Sequence, residues 1–124
     1  MTRKYSSYTS LEQVRFVGDH PVLMKPLTLL SSGTVREVKA GTVLGKVTAS
    51  DKHTEWDVSA SDGSQNADLI LAETVNVPAS GDEKSVAYRH GEFLEIGLTF
   101  DPDANAAQIL AAKDVLEAKG VYIK

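Results

Sequence analysis

No cysteine occurs in the 124 residues. That removes disulfides, thiol nucleophiles and thiolate zinc sites together, and leaves packing or self-association to hold the fold. Aromatic residues make up 6% of the chain, with a single tryptophan, so a broad stacking platform has little to be built from. A basic surplus is missing too: 13 Lys and Arg stand against 17 Asp and Glu, for a net charge of −4. Domains held on nucleic acid by phosphate contacts carry the opposite balance. No apolar run approaches a membrane span, and Met1-Thr2-Arg3-Lys4-Tyr5-Ser6-Ser7-Tyr8 does not lead into the apolar stretch of a signal peptide. The expectation is a soluble protein for the interior of a cell, or for an assembly built there.

What is present is ordinary globular material, 42% apolar and 24% charged, in a length that suits one domain. Residues 1–24 read as a flexible N-terminal arm, partly disordered when free. Tyr5, Tyr8, Leu11 and Val14 are its apolar anchors, and Ser10-Leu11-Glu12-Gln13 has the form of a capping box. Residues 1–20 hold Arg3, Lys4 and Arg15 against Glu12 and Asp19, a balance of +1 that leaves −5 for the rest. That sign fits docking on an acidic surface.

Residues 25–124 read as a single β-rich domain. Around His20-Pro21 and Lys25-Pro26 the prolines predict a connector or an edge strand. Leu27-Thr28-Leu29-Leu30 and Val35-Arg36-Glu37-Val38 read as partner strands across the Ser31–Thr34 turn. In Glu37–Thr48, two short strands meet at a Gly41 corner, with Gly45 marking a bulge. Glu55-Trp56-Asp57-Val58 puts Trp56 and Val58 on one face, and Asp62-Gly63 turns the following loop. Leu69-Ile70-Leu71-Ala72 has the continuous apolar character of a strand buried on both faces, or of one at a subunit seam, continued by Val75 and Val77. Val86–Tyr88 and Phe93–Ile96 read as a hairpin turning at Gly91. Asp101-Pro102-Asp103 opens a helix capped by Asp103 or Asn105, closed at Gly120 and followed by a last strand, Val121-Tyr122-Ile123. The fold class is α+β: predominantly short strands, one C-terminal helix and the arm. Its fold-determining turns are placed at Gly41, Gly45, Gly63, Gly91 and Gly120.

Chemistry is hard to find. The chain has no Gly-x-Ser-x-Gly elbow, and Gly41–Val47 lacks the spacing of a phosphate loop. His20 lies in the connector, His53 on a polar tip and His90 in the hairpin turn. Asp101-Pro102-Asp103-Ala104-Asn105 starts like a calcium loop but has Ala106 and Ala112 where glycine and a carboxylate belong. Asp51, His53, Glu55 and Asp57 alternate as a solvated strand face would. The expectations are no enzyme, no metal and no cofactor.

The order of these elements says more than any one motif. Pro26-Leu27-Thr28-Leu29, then Ala40-Gly41-Thr42-Val43-Leu44-Gly45, Asp62-Gly63, Ala67-Asp68-Leu69-Ile70-Leu71 and Tyr88-Arg89-His90-Gly91-Glu92-Phe93 precede the alanine-rich helix and its glycine. In that collinear set, from about Lys25 to Lys124, the chain resembles the lambda-type bacteriophage head decoration proteins. Leu69 departs from it, standing where the family tends to have glycine. The resemblance implies a homotrimer on three-fold sites of the expanded phage head, clamping the major capsid protein against DNA pressure. It implies a place on the outer surface of the virion, assembly in the host cytoplasm, and no direct contact with nucleic acid or membrane. Arms that order against the capsid would make Arg3, Lys4, Tyr5, Tyr8, Leu11 and Val14 the capsid-binding residues. The competing reading is a small β-rich binding module. It would be lipoyl- or biotinyl-like, with Lys46 or Lys52 as the modified lysine, or carbohydrate-binding through Trp56 with Tyr88 or Tyr122.

Overall fold

Strand Ala67–Leu71 shows how the molecule is layered. Leu69 and Leu71 point to one side and Ile70 to the other, and all three are buried. A strand can bury alternate residues on both faces only if something packs on each. In the computed structural model, which describes residues 22–124, one side is the inside of a small barrel and the other lies under a helix.

In chain order the strands are β1 (Leu23–Leu29), β2 (Arg36–Val38), β3 (Val43–Val47), β4 (Lys52–Glu55), β5 (Ala67–Leu71), β6 (Val75–Val77) and β7 (Glu83–Phe93). A 3₁₀ turn (Glu95–Gly97), helix α1 (Ala106–Ala118) and β8 (Val121–Ile123) follow. Five strands form the barrel in the order β1-β4-β3-β5-β7, and β7 closes it by pairing antiparallel with the whole of β1. β8 runs parallel to the far end of β7. β2 and β6 form a separate two-stranded sheet.

Leu27, Leu29, Leu44, Leu69, Leu71 and Ala87 fill the barrel, capped by Val38 and Val77 of the small sheet. Outside it, Ala112 and Leu116 of α1 share a second cluster with Val43, Ile70, Tyr88, Trp56, Phe93 and Val121. Each fully buried leucine or isoleucine contributes about 1.5–3 kcal/mol through lost apolar exposure. The rings take offset geometries, Trp56 edge-on to Phe100 at 6.2 Å and Tyr88 tilted against Phe93 at 5.1 Å.

Gly41 and Gly45 are among the glycines that close approach requires. Gly41 has φ +90, and a Cβ there would strike the carbonyl oxygen of Gly97, so the β2–β3 corner lies flat on the 3₁₀ turn. At Gly45 a Cβ would strike the backbone of Ser64, where the 59–66 loop crosses β3. The β3–β5 register also slips here, with Leu44 opposite Leu69 and Gly45 opposite Ala67, so Asp68 is the extra residue of a bulge.

Several local expectations are corrected. Val35–Val38 does not return on Leu27–Leu30, because β1 is flanked by β7 and β4; β2 pairs instead with β6 over the barrel mouth. Arg36 holds it there, donating to the Leu30 carbonyl and to the Glu55 carboxylate. Val75 and Val77 therefore belong to β6 and do not continue β5. No hairpin turns at Gly91. β7 runs through it as one long strand, since β1 and β5 pair with its first part and β8 with its last. β1 starts at Leu23, so the arm boundary drawn after residue 24 falls inside an element.

Candidate functional site

A buried polar cluster lies where the β5 bulge turns Asp68 toward the end of the barrel. His53 Nε2 is 2.7 Å from Asp68 Oδ2, and the Lys119 ammonium donates to Oδ1. His53 is 2% exposed, so its expected place on a polar tip is wrong. It lies in β4 between β3 and β1, which bury it. The hydrogen bond from His53 and the nearby Lys119 charge outweigh desolvation and hold the Asp68 carboxyl far below the usual carboxylate range. This cluster ties β4, β5 and the end of α1 together, and a shallow pocket of about 150 Å³ opens beside Asp68 and Lys119.

The carboxylates of the alternating 51–57 stretch and of the 101–105 segment are engaged by the backbone, by hydroxyls or by cations. Asp51 is 3.8 Å from Lys46, and Arg36 engages Glu55. Burial alone would raise the Glu55 carboxyl, but the Arg36 hydrogen bonds win and lower it. Asp57 accepts from Ser59, and Asp101 accepts from the Val58 and Asp103 amides. Among the described residues no three His, Asp or Glu converge to hold a metal ion. A cleft of about 500 Å³ beside Trp56 gathers Asp57, Asp62, Asp101 and Asp103, none of which has a Lys or Arg partner among the described residues.

The aromatic platform is also overturned, because Trp56 and Tyr88 are 4% and 1% exposed. Trp56 donates its ring N–H to the Gln65 carbonyl at 2.8 Å, as a buried indole must. Of the two candidate carrier lysines, Lys52 is held by Asp82 at 2.6 Å and Lys46 faces Asp51. Ser31 and Lys52 both donate to Asp82, which lowers that carboxyl.

What remains is surface. Residues 1–21 join the barrel where Leu23 pairs with His90. Here β1 and β7 slip register, with Met24 opposite Tyr88, which leaves Arg89 as the extra residue of a second bulge. Leu23 and Met24 are 45% and 46% exposed, and Lys25 and Arg89 beside them are exposed with no acidic partner among the described residues. This apolar and basic patch at the root of the arm was missed by the sequence reading, which put Arg89 in a turn. Arg3, Lys4, Tyr5, Tyr8, Leu11 and Val14, and His20, lie outside the described residues. Gly41, Gly63 and Gly120 lie at corners with positive φ, Gly45 in β3 at its bulge, and Gly91 inside β7. Among the described residues no helix is long and apolar enough to cross a membrane.

The framework is a small closed barrel with a helix on one side, its buried charged groups paired within the fold. The family model for bacteriophage lambda head decoration protein D matches residues 22–121, and the chain belongs to that family. It is therefore a structural protein, a decoration component of a phage head. A comparison with curated protein sequences gave no match.

Proposed function

We propose that the protein attaches as a trimer to three-fold sites on the expanded head and stabilises the shell against the pressure of packaged DNA. The observation that carries this reading is the patch at the arm root. Leu23, Met24, Lys25 and Arg89 surround the point where residues 1–21 join, so arm and patch would meet the same acidic, partly apolar capsid surface. The barrel then serves as a rigid head, and each arm in a trimer adds a contact whose combined strength exceeds that of any one. An arm that gains order on the shell would do so by strand addition or as a short helix.

Deleting residues 2–20 tests this. The expected result is a folded protein that no longer co-sediments with expanded shells. Wild-type occupancy by the truncated protein would refute the reading.

A further inference from the structure

β7 changes partner where the arm begins. Its first part pairs with β1 and its last part with β8, and the changeover falls at Arg89, His90 and Gly91. The bulge at Arg89 moves the register by one residue, so Leu23 stands opposite His90 rather than Arg89. A slip of one residue changes which side chains meet across the pair, and bulges re-aim side chains in this way. Here the residue re-aimed is Val22. It comes to lie over Gly91, beside the Phe93 ring, and packs against the cluster that holds Tyr88 and Phe93.

That position is open because residue 91 has no side chain. A Cβ there would lie 3.0 Å from Val22 Cγ1 and 3.0 Å from Phe93 Cζ, and the backbone is at φ +146, where L side chains are strained. The strand under Val22 is in turn braced by β8. The Gly91 amide donates to the Gly120 carbonyl at 3.0 Å. Gly120 lies so close to the His90 ring that a Cβ on it would stand 2.5 Å from Nδ1. The same ring meets Tyr122 edge-on at 6.1 Å. β8 thus holds the two residues on which the start of β1 rests.

We infer that the Arg89 bulge and the seat of Val22 on Gly91 are positioning features for attachment, fixing the point and direction in which residues 1–21 leave the barrel. The inference rests on the arm-and-patch reading above and assigns the residues that aim the arm. The bulge acts twice: it seats Val22, and its extra residue, Arg89, stays exposed in the patch beside Leu23, Met24 and Lys25. A root held in this way lets arm and patch reach the shell as one surface. A frayed root would have to be ordered on binding, which weakens affinity.

The test uses Val22→Ala, which empties the seat, and Val22→Thr, which keeps the branched shape. Val22 is only partly buried, so both variants should match wild type in circular dichroism. In the alanine variant hydrogen exchange should quicken at residues 23–25 and stay at the wild-type rate at 27–29. Its affinity for expanded shells should fall about three- to tenfold, the cost of ordering one or two freed side chains. The threonine variant should match wild type in both. A frayed root with wild-type shell affinity would overturn the inference, as would unchanged exchange in the alanine variant. A threonine variant as weak as alanine would overturn it too, by making Val22 an apolar contact with the shell. Deleting residues 2–20 separates this inference from the reading beneath it. Wild-type occupancy after that deletion removes the role of the arm itself, whereas loss on deletion with no effect of Val22→Ala removes only the seat.

Discussion

Asp68 shows how one side chain becomes a stabilising group by losing its partner in the sheet. The bulge that leaves it without an opposite number also aims it at His53 and Lys119. Its carboxyl titrates below the unfolded value of about 3.9, so its contribution is full above that pH and disappears as pH falls through the folded value. Asp68→Asn should therefore cost roughly 2 kcal/mol at pH 7, with the gap from wild type narrowing by pH 3 in denaturant titrations. An equal gap at both pH values would show that the charge contributes nothing. Glycine makes a second contrast. A Cβ at Gly45 meets the Ser64 backbone, whereas one at Gly81 meets nothing within 4 Å. Gly45→Ala should destabilise by about 1–3 kcal/mol through overpacking, and Gly81→Ala should change stability by less than about 0.5 kcal/mol.

At the scale of the element, α1 combines a strong local start with apolar residues on more than one side. Asn105 accepts from the Gln108 amide and Gln108 reaches back to the Asn105 amide, both at 2.8 Å, a complete capping box. Only Ala112 and Leu116 are fully buried, so the helix rests on the barrel along a narrow line. Asn105→Ala should cost about 1 kcal/mol and Leu116→Ala about 2–5 kcal/mol, both read from urea unfolding monitored at Trp56. A larger loss at the cap than at Leu116 would mean that the helix is held by its own ends rather than by packing.

For the molecule as a whole, the net charge of −4 conceals a basic, apolar patch at the arm root. If that patch faces an acidic shell, the double variant Lys25→Glu, Arg89→Glu should lower shell occupancy and leave the melting temperature unchanged. Wild-type attachment should weaken between about 50 and 300 mM salt, as surface charges are screened. Occupancy that ignores both salt and charge reversal would remove electrostatics from the attachment.

Much of this was legible in the chain, for local reasons. Gly41, Gly63, Asn105 and Gly120 mark corners and helix ends because turn and cap geometry depends on a few adjacent residues. The Leu69–Ala72 run declared burial on both faces because alternation in a strand is a strict two-residue period. Partner choice was not legible. β2 with β6, and β7 running unbroken through Gly91, follow from barrel closure, a long-range constraint that no short window contains. His53 looked like a surface residue until β1 and β3 enclosed it, and Asp68 and Arg89 acquired their roles from bulges whose registers are set by two strands at once. Sequence determined where the chain bends and what it buries; tertiary structure decided which strands meet and which charges are left facing outward, because pairing energy is shared between segments far apart in the chain.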